Sequence, residues 1–293
     1  MDSADLKVFE AVARLGGMNR AAAELNTVQS NVTARIRRLE EGLGTRLFER
    51  HSRGVALTPG GRRLLPYASQ VAQLLDDAHR AVQDDGAPQG ALLIGSLETT
   101  AAVRLSPVIA AFAAAYPAVD LVLRTGTTSE LIERVLDREL EGAFVCGPVR
   151  HPALDEATLF HEELVLLSGR AVTSLDDLAQ QEDLKIVVLR AGCSYRLKLE
   201  ALLAERGVVG FRLLEFGTLE AIVACVGAGL GVTLLPRSLL GPVLREREIR
   251  VHALPAEEGR VETSFIRRRD GFVSSALEAF LDSARATLPA AAE

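Results

Sequence analysis

The sequence contains no tryptophan, and aromatic residues make up only 4% of its 293 residues. Its cores are therefore expected to be aliphatic, since hydrophobic residues still account for 48% of the chain. No segment has the roughly 20 apolar residues that a membrane-spanning helix needs. The N-terminal segment also lacks the apolar core of a signal peptide, and its first charges are acidic. We expect a globular protein of two or three structural units with no membrane partner.

Cysteine is scarce and shows no metal-binding pattern. Three cysteines without CxxC spacing favour reduced, mostly buried thiols at Cys146, Cys193 and Cys225. Reduced thiols are typical of a cytoplasmic protein, which is the location we expect. Cys193 has a second interpretation as a redox sensor, because a helix N-terminus lowers the pKa of a thiol. No second cysteine lies near it in sequence, so burial as a small apolar side chain is favoured.

The signals for an enzyme are weak. The five histidines match no metal-ligand or nucleophile spacing, and they are His51, His79, His151, His161 and His252. The glycine-rich run GAGLG at 227–231 precedes a predicted strand, whereas a nucleotide-binding loop follows one. We therefore expect no enzymatic activity and no cofactor.

Charge is distributed unevenly along the chain. The overall net charge is −6, which by itself argues against a nucleic-acid partner. Residues 1–63, however, hold eleven Lys and Arg against seven acids, so this segment carries +4 and the remainder −10. A basic N-terminal segment on an acidic chain is expected where one end alone contacts phosphate.

The first 43 residues predict three short helices. Apolar spacing over 5–15 predicts the first, and Gly16–Gly17 ends it. Asn19 is the expected N-cap of a second helix that ends near Leu25. The third helix has an apolar stripe at spacings of four, three and four, formed by Val32, Ile36, Leu39 and Leu43.

The opposite face of the third helix is small and polar. Ser30, Thr33, Ala34 and Arg37 lie roughly 100° to 200° from Val32 around the helix axis. Small polar side chains allow a helix backbone to approach the DNA major groove closely. The alternative is an ordinary solvated face, although such a face usually carries more Glu and Lys.

A short β-wing and a long helix follow. Two apolar runs flank a tip at 49–54, which suggests paired strands, and Thr58–Pro59 then begins a helix with Thr58 as its N-cap. This helix carries an a/d heptad pattern at Leu64, Ala68, Val71, Leu75, Ala78 and Val82. We interpret the pattern as a dimerisation seam, and the alternative is a helix packed on its own domain. Pro66 is expected to bend the first turns, and residues 84–90 form a hinge.

After the hinge, strands and helices alternate, which predicts α/β layers with largely buried sheets. The predicted strands are 91–96, 120–126, 142–147, 164–169, 185–190, 211–217, 231–236 and 248–254. The predicted helices lie near 101–115, 128–139, 174–180, 194–206, 218–228 and 273–288.

These segments resemble the LysR-type transcription regulators over essentially the whole chain. The matching N-terminal segments are L-x-x-F-x-x-V, AAAELNTVQSNVTARIRRLE and LGTRLFERHSRGVALTPGG, and GALLIGS, AYPAVDLVLRTGTT, AGCSYR and GAGLGVTLLP match later. The resemblance implies a multi-domain α/β protein with three parts. These are an all-α winged helix-turn-helix domain at 1–58, a linker helix at 59–87 and an effector-binding domain at 88–293.

The resemblance also implies the partners. It implies double-stranded operator or promoter DNA, a small-molecule effector of unknown identity, a homo-oligomer (dimer or tetramer), and contact with RNA polymerase. The effector-binding domain resembles a type II periplasmic binding protein of two α/β subdomains. We place the first at about 91–163 and 267–293, and the second at about 164–266.

DNA-contacting residues follow from the same resemblance. Gln29, Ser30 and Thr33 match the base-reading positions of the family, and glutamine can make a bidentate contact to adenine. Positive charge comes from Arg35, Arg37 and Arg38 on the helix, and from Arg50 and Arg53 at the wing, which approach the backbone or the minor groove. The family often has Ser or Thr at the position of Val28, so Thr27 is expected to cap this helix. It also often has a polar or basic residue at the position of Ala34.

The effector is expected in the cleft between the two subdomains. Helix N-termini there present free N–H groups that suit carboxylates. The candidate residues are Thr99, Thr100, Thr127, Thr128, Cys193, Ser194, Arg196, Thr218 and Thr233. Each hydroxyl taken alone is more often a simple N-cap, and Arg196 serves a surface salt bridge equally well. A bare ligand-binding protein or an enzyme without a DNA role is the alternative, but neither explains residues 1–63.

Overall fold

The computed structural model describes residues 1–51, 54–181, 183–208, 210–243 and 249–288. The chain forms two compact units, Met1–Asp85 with Asp137–Glu139, and Gly86–Leu136 with Leu140–Glu293. The first division, between Asp85 and Gly86, falls inside the hinge expected at 84–90. Among the described residues, no helix combines the length and apolar character needed to cross a membrane.

The N-terminal unit is a helix-turn-helix followed by a two-stranded wing and a long helix. Its elements are α1 (Ser3–Leu15), α2 (Met18–Glu24), α3 (Gln29–Leu43), β1 (Phe48–His51), β2 (Gly54–Leu57) and α4 (Pro59–Gln83). Phe9, Val12, Val32 and Ile36 are almost completely buried in one core, as the apolar stripe of the third helix predicts. Leu43, the last member of that stripe, is 40% exposed, because α3 extends past the core.

Local capping explains most of these boundaries. Gly16 ends α1 in the left-handed conformation, with φ at 65°. Thr58 Oγ1 accepts a hydrogen bond from Gly61 N at 3.0 Å, which is the predicted N-cap of α4. The predicted cap at Asn19 is wrong, because α2 begins at Met18 with Gly17 in the cap position. Burial of Met18 in the core anchors this first turn without a side-chain cap.

The heptad stripe of α4 divides into two halves. Leu64, Ala68 and Val71 pack on the core of their own domain, and Ala68 is fully buried. For these three positions the alternative of a helix packed on its own domain is correct, and Ala68 cannot contact a partner. Leu75, Ala78 and Val82 are exposed. The helix continues unbroken through Pro66.

The C-terminal unit contains nine strands and short helices in the described residues. The strands are β3 (Gly90–Ser96), β4 (Val119–Thr125), β5 (Gly142–Cys146), β6 (Leu154–Gly169), β7 (Lys185–Leu189), β8 (Arg212–Phe216), β9 (Thr233–Pro236), β10 (Ile249–Ala253) and β11 (Arg260–Arg268). The helices are α5 (Glu98–Thr100), α6 (Ser106–Ala115), α7 (Thr128–Leu136), α8 (Ser194–Glu205), α9 (Leu219–Gly227), α10 (Leu240–Val243), α11 (Ala256–Gly259) and α12 (Ser275–Thr287). A π-helical turn at Ala101–Leu105 joins α5 to α6, and 3₁₀ turns lie at Asp176–Gln180 and Arg237–Leu239.

Strand β6 connects two subdomains. Its first half pairs with β11, which also pairs with β5, while β3 lies parallel to both β4 and β5. Its second half pairs with β9 and β10, and β7 lies parallel to β8. The chain therefore returns to the first subdomain between β10 and β11. The boundary predicted at 266/267 is too late, because Thr263–Arg267 already pair with β5.

The two subdomains have different cores. The first is built around phenylalanine rings, with Phe112 against Phe280 and Phe144 against Phe265, both at 5.1 Å between centroids. The core under β6 and β10 in the second is aliphatic and includes Val187. A further, largely aliphatic core includes Leu131 and Val145 of the first subdomain. The expectation of aliphatic cores is therefore wrong for the phenylalanine-rich core and holds for the others of this unit.

Candidate functional site

The outer face of α3 is exposed where the sequence predicts DNA contact. Gln29, Ser30, Ala34 and Arg37 are exposed, and Thr33 is half-buried. Their exposure follows from the burial of the apolar stripe on the other side of the helix. The N-terminal unit thus presents small and amide side chains with an arginine on one accessible surface.

The N-terminus of α3 has no side-chain cap among the described residues. Val28 occupies the cap position in an extended conformation and has no side chain able to accept a hydrogen bond. Thr27 Oγ1 instead accepts from the side-chain Nδ2 of Asn31 at 2.9 Å, so the predicted cap at Thr27 is wrong. Uncapped N–H groups at a helix N-terminus suit a phosphate oxygen.

The arginines predicted on α3 serve different purposes. Arg35 Nη1 lies 2.9 Å from Asp5 Oδ1, and Asp5 is almost completely buried on α1. Arg35 therefore fastens α3 to α1, a structural role that the sequence pattern did not reveal. Arg38 Nη1 is 4.0 Å from the same carboxylate and its side chain is 65% exposed, whereas Arg37 lies on the accessible face.

The wing carries the remaining predicted DNA contacts. Strands β1 and β2 are antiparallel, and Arg50 pairs with Val55 in their register. Arg53 lies outside the described residues.

A cleft between the two subdomains contains about 660 Å³ of empty space, and this volume includes solvent at its open mouth. The turn after β3, the start of α7 and the loop from β7 to α8 form most of its wall. Five predicted effector residues line it, namely Thr99, Thr127, Thr128, Cys193 and Ser194.

Four other predicted residues do not line this cavity. Thr100 and Thr233 are buried within the protein. Thr218 Oγ1 caps α9 by accepting from Ala221 N at 3.3 Å, which is the simple N-cap alternative. Arg196 is paired with Glu200 at 2.9 Å and Glu215 at 3.3 Å, so it serves a salt bridge.

The sequence did not point to several residues of the cavity wall. Glu98, Arg190, Tyr195 and Cys146 all line it. Arg190 Nε lies 3.0 Å from Glu130 Oε1, and these residues are 60 positions apart in the chain. Neither belongs to a recognisable motif, so only the fold brings them together.

Two residues of the cavity wall carry buried hydroxyls that the rest of the protein does not satisfy. Thr99 Oγ1 and Tyr195 Oη belong to residues that are 4% and 5% exposed. The two hydroxyls interact with each other, and neither has another hydrogen-bond partner among the described residues. Burial raises the pKa of the Tyr195 hydroxyl, so it remains protonated and able to donate. A buried polar atom whose hydrogen-bonding capacity is not satisfied lowers the stability of the fold, unless a ligand or water supplies the missing hydrogen bond.

The cleft also brings two thiols together on its wall. Burial raises the pKa of Cys146 to about 11 and also raises the pKa of Cys193. Both thiols are therefore protonated at neutral pH, and the thiol is the less reactive form. This environment favours the interpretation of Cys193 as a small buried side chain.

One rim of the cleft is closed by direct contacts. Ser194 Oγ donates to Thr128 Oγ1 at 2.9 Å, and Ser129 N donates to Gly192 O at 3.4 Å. Gly192 has φ at +89°, and a Cβ there would lie 2.8 Å from Thr127 Oγ1. We call these contacts, together with the Arg190–Glu130 ion pair, the rim seam.

Two family models together cover nearly the whole chain. Residues 3–62 match the bacterial regulatory helix-turn-helix protein model of the lysR family, and residues 85–289 match the LysR substrate binding domain. The chain belongs to the LysR family of bacterial transcription regulators. It is a DNA-binding regulator with an effector-binding domain, as the sequence motifs predicted.

Similar regulators match this chain along almost its full length. The chain is 44% identical to the HTH-type transcriptional regulator GltR of Bacillus subtilis, covering 96% of this chain and 95% of GltR. It is 46% identical to YofA of the same organism, covering 96% of this chain and 98% of YofA. These relatives are transcription regulators and not enzymes.

Solved structures of full-length regulators share the fold. Full-length CbnR in complex with its target DNA is 24% identical with a TM-score of 0.67, covering 98% of this chain and 100% of CbnR. A full-length OxyR variant from Pseudomonas aeruginosa is 21% identical with a TM-score of 0.71, covering 97% of this chain and 95% of OxyR. The predicted architecture of helix-turn-helix, linker helix and two-subdomain effector-binding domain is confirmed.

Proposed function

We propose that α3 reads operator DNA through Gln29, Ser30 and Thr33, with Arg37, Arg38 and the wing contacting the backbone. The exposed polar face of α3 is the observation that carries this proposal. An amide side chain can recognise adenine, and hydroxyls serve several bases. Arg35 contributes by holding the helix in place against α1.

The second part of the proposal concerns the cleft. A small molecule bound there contacts Thr99, Thr127, Thr128 and Ser194, and changes how the regulator binds or bends DNA. The buried hydroxyls of Thr99 and Tyr195, which have no partner among the described residues besides each other, support a ligand at this position. Contacts across the rim seam give such a ligand a way to change the relation of the two subdomains.

The third part is assembly. The exposed half of the heptad stripe, Leu75, Ala78 and Val82, lies beside exposed Tyr67 and Leu74, which the sequence pattern missed. We propose that this apolar surface pairs two chains through their α4 helices, and that dimers combine further into a tetramer. We also propose, from family membership, a cytoplasmic location and contact with RNA polymerase at the promoter.

A gel shift on DNA from upstream of the gene tests the function directly. The purified chain is expected to shift this fragment at nanomolar concentrations in about 150 mM salt, and to resist excess nonspecific competitor. A bacterial two-hybrid assay with RNA polymerase subunits tests the further partner. Equal competition by specific and nonspecific DNA would contradict sequence-specific regulation.

A further inference from the structure

Two helix N-termini around the cleft are already capped by side chains, whereas α8 follows Cys193 without a side-chain cap. The N-terminus of α7 carries a reciprocal cap, in which Thr127 N donates to Glu130 Oε2 at 2.8 Å and Glu130 N donates to Thr127 Oγ1 at 3.3 Å. The N-terminus of α9 is capped by Thr218. These helix ends are therefore less available to an anionic ligand than their position in the fold suggests.

The arginine that lines the cavity is also already paired within the protein. Arg190 is the cationic side chain among the described residues that line the cavity. Its guanidinium makes a two-point contact with Glu130, with Nε–Oε1 at 3.0 Å and Nη2–Oε2 at 3.2 Å. Paired contacts of this kind are the strong form of an ion pair, so an anionic ligand would have to displace Glu130.

Glu98 is the acidic side chain among the described residues that line the cavity. It lines the cavity, is half-buried, and forms no ion pair within the described part of the chain. Its contact is with the backbone N–H of Leu219, and burial raises the pKa of its carboxyl above the ordinary value. The charge of Arg190 also acts on Glu98, but its guanidinium is already paired with Glu130. Glu98, Glu130 and Arg190 together therefore carry one net negative charge.

Next to Glu98 in sequence, Thr99 contributes one of two buried hydroxyls, and Tyr195 contributes the other. These hydroxyls interact with each other and have no other partner among the described residues. Both side chains are more than nine-tenths buried. A ligand that fits this wall therefore needs a positive group for the carboxylate and a polar group for the hydroxyls.

We infer that the effector carries an ammonium group that pairs with Glu98 and a hydroxyl or carbonyl group that hydrogen-bonds to Thr99 and Tyr195. This inference rests on the proposed function of the cleft as the effector site. It differs from the carboxylate effector that the helix N-termini suggest from sequence alone.

Matched probes of opposite charge test it on the full-length protein. Amino alcohols of three to five carbons carry an ammonium and a hydroxyl group, and the ω-hydroxy acids of equal length replace the ammonium with a carboxylate. Calorimetric titration is expected to show at least one amino alcohol binding tenfold or more tightly than its hydroxy acid. Glu98→Gln should remove this preference, while Glu133→Gln, an exposed acid on α7 away from the cavity, should retain it.

Two further variants locate the binding. Thr99→Val and Tyr195→Phe should each weaken the amino alcohol severalfold while leaving the DNA shift intact. Tighter binding of the hydroxy acids, binding of no amino alcohol, or an unchanged preference in Glu98→Gln would overturn the inference. If the hydroxy acids bind more tightly and Thr99→Val still weakens them, the cleft remains the effector site and only the ammonium assignment fails. Probe binding that neither Thr99→Val nor Tyr195→Phe changes would contradict the cleft itself.

Discussion

The DNA-facing surface of α3 and the effector cleft distribute their residues along the chain in different ways. The proposed base-reading residues lie within five positions of one helix, from Gln29 to Thr33. The cavity wall draws on segments from Leu97 to Gly217, and its ion pair joins residues 60 positions apart. A surface formed by one helix depends on local packing, whereas the cleft depends on the relative position of two subdomains. Perturbations that affect one region alone therefore test the comparison.

The largest effect is expected from disrupting the exposed half of the heptad stripe on α4. The double substitution Leu75→Glu and Val82→Glu places like charges against each other in the proposed dimer. Loss of the second DNA-binding domain from the complex removes bivalent attachment, so affinity for operator DNA should fall about 100-fold or more. Analytical ultracentrifugation and gel shifts measure both consequences.

Gln83→Glu is the control, because it adds one of the two negative charges of the double variant at an exposed position next to Val82. It should leave the oligomer and the DNA affinity unchanged. A double variant that sediments like the wild type would show that the exposed half of the stripe is not the interface.

A smaller effect is expected from Gly192→Ala in the rim seam. The left-handed conformation costs a non-glycine residue about 1–2 kcal/mol, and the new Cβ would also meet Thr127. Hydrogen exchange should therefore increase at 127–130 and 190–194, while the helix-turn-helix keeps its protection. Gly207→Ala shares the left-handed backbone but has no atom within 4 Å of the new Cβ, so it isolates the conformational cost. Equal exchange at 127–130 and 190–194 in the two variants would show that the contact of the new Cβ with Thr127 does not loosen the rim seam.

The smallest effect is expected from pH. His252 is buried with Nε2 at 2.7 Å from Ser168 Oγ, and burial, with Arg250 nearby, lowers its pKa below 6.5. The unfolded chain binds the proton more readily, so this stability contribution is complete above pH 6.5 and is lost as pH falls through the folded pKa. The urea midpoint of the C-terminal unit should drop between pH 7 and pH 5, and by less in His252→Gln. An identical drop in the variant would show that His252 does not cause the loss of stability.

The same contrast explains what the sequence predicts. The helix-turn-helix, the wing and the start of α4 follow from apolar spacing and from Thr58–Pro59, because local periodicity and capping determine them. Strand β11 and the first half of β6 escaped detection. They mix buried Thr263 and Ser264 with charged residues, whereas the prediction relied on apolar runs.

Contacts between distant segments also could not be predicted from the sequence. The ion pair of Arg35 with Asp5 and that of Arg190 with Glu130 have no signature in spacing. Likewise, a heptad pattern marks an apolar stripe but not the surface that covers it, which is why Ala68 and Val82 have opposite environments in one helix.

The proposed DNA recognition depends most on the exposed face of α3, and the specificity ratio of the double variant Gln29→Ala with Thr33→Ala tests it most directly. Gel shifts at fixed salt would compare operator and random DNA for this variant, the wild type and Glu41→Gln, an exposed control on the same helix. We predict that the double variant stays folded and loses its preference for the operator, with each lost base contact costing about 1–3 kcal/mol. A double variant that retains the specificity ratio of the wild type would contradict the assignment of α3 as the reading surface.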